Sequence, residues 1–264
     1  MIKIYHRFSR PGSGWVKVAA VTLALGALPD GATGAEKVGT AEVVRNTVTA
    51  SQTGKLAVSD AVFSAERISA DANSHGEIKL NDDSLVIVGE NSSISLDDFV
   101  INGGDFQTAT LKVARGAFRF ITGKSPKNAF KIETPLSSIG VRGTVFDVYV
   151  DEGTGATRVV LLHGAVRVCT FGSNCIVADR SCDIIEVRSR SEIQKLPFLR
   201  SARRSRGQES ADFPLTDQQG RFQKRWRAPI AACNGRAAEE AANANPNSTF
   251  GGNGRDSGAS NNYD

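Results

Sequence analysis

The amino-acid sequence predicts an all-β body followed by a mostly irregular C-terminal extension. From residue 38, apolar residues come in runs of strand length, and Gly, Asn, Asp and Ser interrupt these runs roughly every 10 to 15 residues. The 264 residues include 26 Gly and a single Met, a composition that suits many turns and few helices. The apolar runs end near residue 198, so we expect the ordered body to span residues 36–198.

Residues 1–35 are typical of a cleavable export signal. They carry four basic residues, a short apolar run at residues 18–28 and small residues at 32–35. The apolar run is shorter than the roughly 20 residues that a membrane-spanning helix needs, which disfavours a permanent anchor. We therefore expect cleavage before Ala35 or Glu36 and a mature chain without an integral membrane span.

Short apolar segments predict the strands of the body. Residues 77–88 read as a hairpin, because E-I-K-L alternates, N-D-D-S suits a turn and L-V-I-V resumes as a buried run. Residues 60–72 have a composition that also fits a helix, but we interpret them as the start of a strand. Two later apolar runs flank His163 and Gly164, and we expect a tight turn between them.

Residues 199–242 read as a basic linker with one candidate short helix, and residues 243–264 read as a disordered tail. Nine basic and three acidic residues lie in residues 199–236, so an anionic partner would meet this stretch. Phe222 and Trp226 lie among these basic residues and could stack on sugars, although we favour packing against the sheet. The tail is dominated by Asn, Gly and Ser and is too polar to bury a core.

The sequence contains no catalytic motif, whether a nucleophile elbow, a phosphate-binding loop or a zinc-protease helix. The paired acids at residues 82–83 and 97–98 lie in predicted turns, where solvated carboxylates are ordinary. Once the leader is removed only His75 and His163 remain, and neither stands at metal-ligand spacing from a cysteine. We therefore expect no catalytic, cofactor or metal site, and export disfavours nucleic-acid binding.

The four cysteines are an even count in a chain that we expect to be exported, which predicts disulfides. Cys169 and Cys175 flank a short segment that suits a hairpin turn. We therefore expect a bridge between them, which leaves Cys182 for Cys233. Four cysteines allow three pairings, so the other two pairings stay open.

Residues 130–148 carry the most informative pattern in the chain, F-K-I-E-T-P-L-S-S-I-G-V-R-G-T-V-F-D-V. This segment resembles the core of the FecR (ferric citrate sensor regulator) domain, in which a Thr-Pro pair precedes a Val-Arg-Gly-Thr run. Blocks at residues 80–96, 111–120 and 159–168 agree with the family in order, so the resemblance covers about residues 38–190. The matching motif residues are Thr134, Pro135, Gly140, Val141, Arg142, Gly143 and Thr144.

The resemblance implies a FecR-type antiparallel domain, β-solenoid-like or sandwich-like, on the periplasmic side of the cell envelope. Domains of this family occur in signalling proteins that pass the state of an outer-membrane receptor to an anti-sigma segment. No anti-sigma helices precede the apolar run of this chain, so we expect a stand-alone module that senses or binds an envelope protein, either a receptor or a membrane regulator. The alternative is a structural or glycan-binding protein that contacts cell-wall polymer.

The motif residues are expected to build the fold rather than to bind a partner. Pro135 cannot donate a hydrogen bond to a neighbouring strand, so it should stand just before a strand. Gly140 and Gly143 should mark a turn or a close approach of two backbones. Arg142 should then point inward and satisfy buried carbonyl groups with its donors.

Overall fold

The computed structural model describes residues 35–196, 213–217, 219–222 and 224–228. These residues form fifteen β-strands and three short helical turns, so the all-β prediction is confirmed. None of the helical turns among them is long and apolar enough to cross a membrane. The strands are β1 Lys37–Arg45, β2 Val48–Ala50, β3 Gly54–Lys55, β4 Ala61–Phe63, β5 Glu66–Ala70, β6 His75–Leu80, β7 Leu85–Val88, β8 Ser92–Asn102, β9 Asp105–Ile121, β10 Phe130–Glu133, β11 Ser137–Val150, β12 Thr157–Thr170, β13 Cys175–Ala178, β14 Ile184–Val187 and β15 Ile193–Leu196. The helical turns are α1 Pro214–Asp217 and two 3₁₀ turns, Gln219–Arg221 and Lys224–Trp226.

The strands form one hydrogen-bonded sheet that folds over on itself. Its longest path runs in the order β15-β14-β12-β11-β10-β9-β7-β6-β1-β4, while β13 pairs with β12 and β8 extends the sheet from β9. Strands β9 and β10 are parallel, and the neighbours of β11 and β12 are antiparallel to them. Each of the three longest strands changes neighbours along its length. For example, β9 pairs with β8 and β10 in its first half and with β7 and β11 in its second.

Each of these three strands bends at a glycine in the left-handed backbone region. Gly116 in β9, Gly143 in β11 and Gly164 in β12 have φ values of +90°, +61° and +83°. A Cβ atom on Gly116 would lie 2.1 Å from the hydroxyl oxygen of Ser92, and one on Gly164 would lie 2.1 Å from the carbonyl oxygen of Gly143. Positions 116 and 164 therefore require glycine for both the backbone angle and the space.

The bends reverse the alternation of inward and outward side chains. Across each bend the two nearest core residues are five positions apart, whereas an uninterrupted strand would separate them by an even number. These pairs are Val113 and Phe118, Val141 and Phe146, and Leu161 and Val166. Between β11 and β12, Gly143 and Thr144 together oppose Gly164, which is a β-bulge. Both halves of each long strand therefore face one core, as in a sandwich whose strands pass from one layer to the other. The first layer contains residues 105–115 of β9, 137–142 of β11 and 165–170 of β12, and the second layer contains the other halves of these strands.

Aromatic contacts join the two layers of this core. The ring of Phe120, in the second half of β9, lies 4.8 Å from the Phe130 ring of β10 and 5.8 Å from the Phe146 ring of β11, measured between centroids. Phe130 in turn contacts Phe106 edge to face at 5.7 Å. The four rings make the interior continuous from the first layer to the second.

The structure corrects the turn expected at His163 and Gly164. Strand β12 continues from Thr157 to Thr170. Gly164 lies in the middle of it, opposite the bulge formed by Gly143 and Thr144. Left-handed glycine suits a tight turn and a bulge equally, so the local pattern does not separate the two. The strand interpretation of residues 60–72 is confirmed by β4 and β5, and the hairpin at residues 77–88 is confirmed by the pairing of β6 with β7.

One disulfide, between Cys169 of β12 and Cys175 of β13, is confirmed. Cys182 is also disulfide-bonded and fully buried. Its expected partner Cys233 lies outside the described residues, so that pairing stays a prediction. The leader up to residue 34, the candidate helix after residue 236 and the polar tail also lie outside the described residues.

The described residues between 213 and 228, which we name the C-terminal strap, pack on the outer face of the second layer. Four large side chains of the strap are at most 5% exposed: Phe213, Leu215, Phe222 and Trp226. The expected packing of Phe222 and Trp226 is confirmed, and the strap is a packed part of the stretch that we expected to be a basic linker within residues 199–242. Its apolar residues follow neither a helical nor a strand period, so the pattern of residues 199–242 does not reveal them.

A buried ion pair anchors the strap. Arg119 of β9 and Asp147 of β11 are register partners, and their side chains are 0% and 2% exposed. The guanidinium donates to both carboxylate oxygens, at 2.6 and 2.7 Å. It also donates to the Gln219 side chain at 2.9 Å and to the Trp226 carbonyl at 3.3 Å. The Thr216 hydroxyl donates to Asp147 at 2.7 Å, so three strap residues complete the hydrogen bonding of the pair.

Single alanine substitutions separate the two reasons for glycine at the bends, which are the positive φ and the lack of space for a Cβ atom. Gly164→Ala should lower the free energy of unfolding by about 3 kcal/mol, because it adds a carbon against a backbone carbonyl at positive φ. Gly143→Ala should cost about 1 to 2 kcal/mol, because nothing lies within 4 Å of its Cβ and only the positive φ opposes it. Gly140→Ala is the control, since its Cβ would have its nearest neighbour at 3.9 Å. Urea unfolding of the three variants tests this ranking, and equal losses would contradict it.

Breaking the buried pair should release the strap. Arg119→Met leaves the Asp147 carboxylate buried without its counter-charge, which should lower the free energy of unfolding by about 3 to 5 kcal/mol. A chain cleaved before residue 36 retains Trp226 as its single tryptophan, so its emission should shift to longer wavelength when the strap leaves. Adding Asp147→Leu removes both charges and should recover part of the loss. Wild-type stability and emission in Arg119→Met would show that the pair does not hold the strap.

Candidate functional site: a cationic groove beside the motif

The first part of the motif closes the turn between β10 and β11. The Thr134 amide donates to the Ser137 carbonyl at 2.9 Å, and the Ser137 amide donates to the Thr134 hydroxyl at 3.0 Å. Pro135 sits inside this turn, just before β11, as expected. The Thr157 hydroxyl donates to the Thr134 hydroxyl oxygen at 2.9 Å, which ties the turn to β12.

Three further motif residues belong to the interior or to the bend. Val141 is a core residue, and Gly143 is half of the bulge. The Thr144 amide donates to the Thr122 hydroxyl at 2.7 Å, while the Thr122 amide donates to the Thr144 carbonyl at 3.0 Å. These contacts are of the kind expected for an architectural role, which stays a prediction until these residues are substituted.

Gly140 and Arg142 face the other way. Strand β11 alternates regularly before the bulge, so these two residues point to solvent while Val141 points into the core. Arg142 is exposed and has no hydrogen bond or ion pair in the described part of the chain. The expectation that it points inward is wrong, because strand alternation sets its direction and the flanking glycines do not. Gly140 lies at neither a turn nor a close approach, so that expectation is also corrected.

Gly140 is the centre of a row of outward-facing positions that crosses four strands. Its register partners are Lys131 of β10 on one side and Arg167 of β12 on the other, and Val177 of β13 follows Arg167. All three partners are exposed, and Val177 is 52% exposed. Because Gly140 has no side chain, the row contains a notch between a lysine and an arginine.

The notch opens into a groove of about 730 Å³. Four basic residues line it, namely Lys127, Lys131, Arg142 and Arg167, and its lining includes no acidic residue. The Lys131 ammonium lies 2.5 Å from the Glu133 carboxylate. The other three cations have no hydrogen bond or ion pair within the residues that the structure describes. We name this surface the cationic groove.

Basic residues just outside the groove are neutralised. Lys112 of β9 pairs with Asp97, and the hydrogen bond to that carboxylate raises the pKa of Lys112. Lys124 pairs with Asp83 at 2.5 Å, and the ammonium groups of Lys124 and Lys79 lower the pKa of Asp83 to about 2. The unmatched positive charge of this surface is therefore concentrated in the groove.

The cationic groove is suited to holding anionic groups by contact alone. Guanidinium and ammonium donors make charge-assisted hydrogen bonds with carboxylate or phosphate oxygens. Among the residues that the structure describes, no group of three or more His, Cys, Asp or Glu side chains could hold a metal ion. The arrangement is suited to recognition of negative charge.

Sequence analysis did not identify Lys127, Lys131, Arg167 or Val177 as site residues. The strict alternation at residues 130–133 does assign Lys131 to an outward position. The grouping, however, depends on which strands are neighbours and in what register, and a local pattern contains neither. Of the lining residues, the motif had indicated Gly140, Val141 and Arg142.

Comparison with known proteins gives one family and one distant structural likeness. No curated protein sequence matches the chain. Two crystal structures of a candidate anti-sigma factor from Parabacteroides distasonis, at 1.65 and 2.50 Å resolution, are 18% identical to it, each with a TM-score of 0.41. Each comparison covers 50% of this chain and 59% of that protein.

The family comparison covers the strands that carry the motif and the strands that precede them in sequence. The family model described as FecR protein matches residues 66–167. That range runs from the first residue of β5 to Arg167 of the groove, and it contains the three bend glycines. The resemblance drawn from the motif is confirmed, and residues 66–167 of this chain are a FecR domain.

Proposed function

We propose that the mature protein is an exported, periplasmic sensing module that binds an envelope protein and catalyses no reaction. One observation carries the proposal: the outward-facing half of the FecR motif, Gly140 and Arg142, lies in a groove lined by four cations, three of which have no hydrogen bond or ion pair in the described chain. The five donors of the Arg142 guanidinium are exposed and have no acceptor in the described part of the chain. Such a residue is available to a partner.

The location rests on two sequence features and one structural feature. Residues 1–35 have the order of charge, apolar run and small residues that export signals have. The disulfide between Cys169 and Cys175 includes an exposed cysteine, and bridges of this kind persist in oxidising compartments such as the periplasm. Together they support a stand-alone, extracytoplasmic form of the domain.

A surface of this kind can report on a partner without opening its core. Three of the four groove cations stand on β10, β11 and β12, whose opposite faces contribute Ile132, Val141 and Val166 to the core. Because the strands are fixed by that packing, the groove is preorganised and binding needs little rearrangement. The partner would be a receptor or a membrane regulator of the envelope.

The alternative role as a glycan-binding or structural envelope protein, in which the basic stretch at residues 199–236 contacts cell-wall material, loses one of its supports. Phe222 and Trp226 would have to stack on sugars, and both residues are at most 2% exposed within the strap. The Trp226 ring also has the Arg225 guanidinium 5.8 Å from its centroid, on a residue whose charge is paired with Glu42. Binding of cell-wall polymer is therefore retained only as an outcome of the tests.

Cross-linking in the envelope tests the proposed function. A photo-reactive side chain at Val177 should cross-link to a single envelope protein, identified by mass spectrometry. Arg142→Glu should abolish the cross-link and change the free energy of unfolding by no more than about 0.5 kcal/mol, because the residue is exposed. Lys55→Glu makes the same change of charge on exposed strand β3 and should leave the cross-link intact. Equal loss in both variants, or none in either, would contradict the proposal.

The export proposal has its own test. Mass spectrometry of the protein recovered from the periplasm should show a mature chain that begins at Ala35 or Glu36. Recovery of intact residues 1–30 in the membrane fraction would contradict cleavage and would favour a permanent anchor.

A further inference from the structure

Gly140 is a glycine that the fold does not need. Its φ lies outside the left-handed region, and a Cβ atom there would meet only the Arg167 carbonyl oxygen, at 3.9 Å. Glycine in the interior of a strand is unfavourable, because it adds conformational freedom to the unfolded chain and buries no side chain. What its absence of a side chain does provide is the notch between Lys131 and Arg167.

From this geometry we propose that the cationic groove binds an acidic, extended peptide segment, with one carboxylate side chain seated in the notch above Gly140. The inference rests on the proposed function, since the segment would belong to the envelope protein that the module binds. It adds that the bound segment is acidic and that one of its carboxylates is recognised at Gly140.

The spacing of the notch accommodates one carboxylate between two cations. Neighbouring strands lie about 4.8 Å apart, so Lys131 and Arg167 stand about 10 Å apart on the two sides of Gly140. Both side chains are long enough to lean over the intervening strand. Arg167 has no ion pair in the described chain and can donate to a carboxylate placed above Gly140, whereas Lys131 would share its ammonium between that carboxylate and Glu133. The guanidinium can donate through two parallel hydrogen bonds.

The position of Arg142 selects an alternating pattern in the peptide. It lies two residues beyond Gly140 on the same face of β11, about 7 Å along the strand. Residues i and i+2 of an extended peptide are separated by the same distance and point to the same side. Two acids at alternate positions of the segment therefore meet the notch and Arg142 at once.

The end of the row adds an apolar contact. Val177 is 52% exposed next to Arg167, on a strand fastened by the Cys169–Cys175 bridge. A segment of alternating acids with a small apolar residue at one end is complementary to the whole row. An acidic polysaccharide would meet the same cations, but its charges do not follow the i, i+2 spacing of a strand.

Binding of defined peptides to the purified exported protein tests the inference. The probes are an eight-residue peptide in which Glu and Thr alternate, a peptide of the same composition with the sequence Glu-Glu-Thr-Thr-Glu-Glu-Thr-Thr, in which no two acids are two residues apart, and an alternating Gln and Thr peptide. Fluorescence anisotropy should show binding of the alternating Glu peptide at least tenfold tighter than binding of the paired Glu peptide, and no binding of the Gln peptide. The affinity should fall as salt is added.

Gly140→Val is the decisive variant, because it fills the notch with a residue that suits a strand and leaves every charge in place. It should weaken the alternating peptide at least tenfold with an unchanged melting temperature, and Arg142→Gln should weaken it similarly. Lys55→Gln removes a distant exposed charge and is the matched control. Undiminished binding by Gly140→Val, equal binding of the two Glu peptides, or binding of polygalacturonate in preference to both would overturn the inference.

The cross-link to the envelope protein separates this inference from the proposed function. If Gly140→Val retains the cross-link while Arg142→Glu loses it, the proposed function stands and the acidic notch ligand is wrong. If the alternating peptide binds with the expected losses but no envelope protein is cross-linked, the notch is right and the proposed function is wrong.

Discussion

The structure depends on three backbone positions that only glycine can occupy without strain, Gly116, Gly143 and Gly164. At each of them a strand gains one residue relative to its partner or passes through the left-handed backbone region. Beyond that point, the inward-facing side chains stand at even positions where they stood at odd ones, or the reverse. Without that change, the second half of each long strand would direct its apolar residues to solvent. One core shared by both layers is therefore a consequence of three bends.

The same bends divide the outer face into two surfaces. Charged side chains are buried and paired on one of them and exposed to water on the other. On the second layer, the Arg119 and Asp147 charges are withdrawn from water, which is tolerable only because the pair is bidentate and strap groups complete its hydrogen bonds. On the first layer, the cations of the groove remain in water, and three of the four have no partner in the described chain.

Local sequence patterns predicted the strands well because strand alternation and turn chemistry act within a few residues. They failed where the answer depends on register. Gly164 has the same backbone preference in a turn and in a bulge, and only its partner across the sheet decides between them. The direction of Arg142 depends on parity counted from the bend, and Arg119 meets Asp147 through strands 28 residues apart. The apolar residues of the strap follow no regular spacing in the sequence, because its short helical turns direct single side chains toward the sheet.

Architecture and recognition meet within the motif at a distance of one residue. Arg142 is the last outward-facing residue of β11 before the bulge, and Gly143 is the residue that reverses the alternation. If one residue were removed between Gly140 and Gly143, the guanidinium would be carried to the apolar side, where burial of an unpaired charge is prohibitive. The bend thus fixes both the core and the face on which the arginine stands. A Val-Arg-Gly run is compact for this physical reason: the valine points into the core, the arginine points to solvent, and the glycine keeps the two from exchanging places.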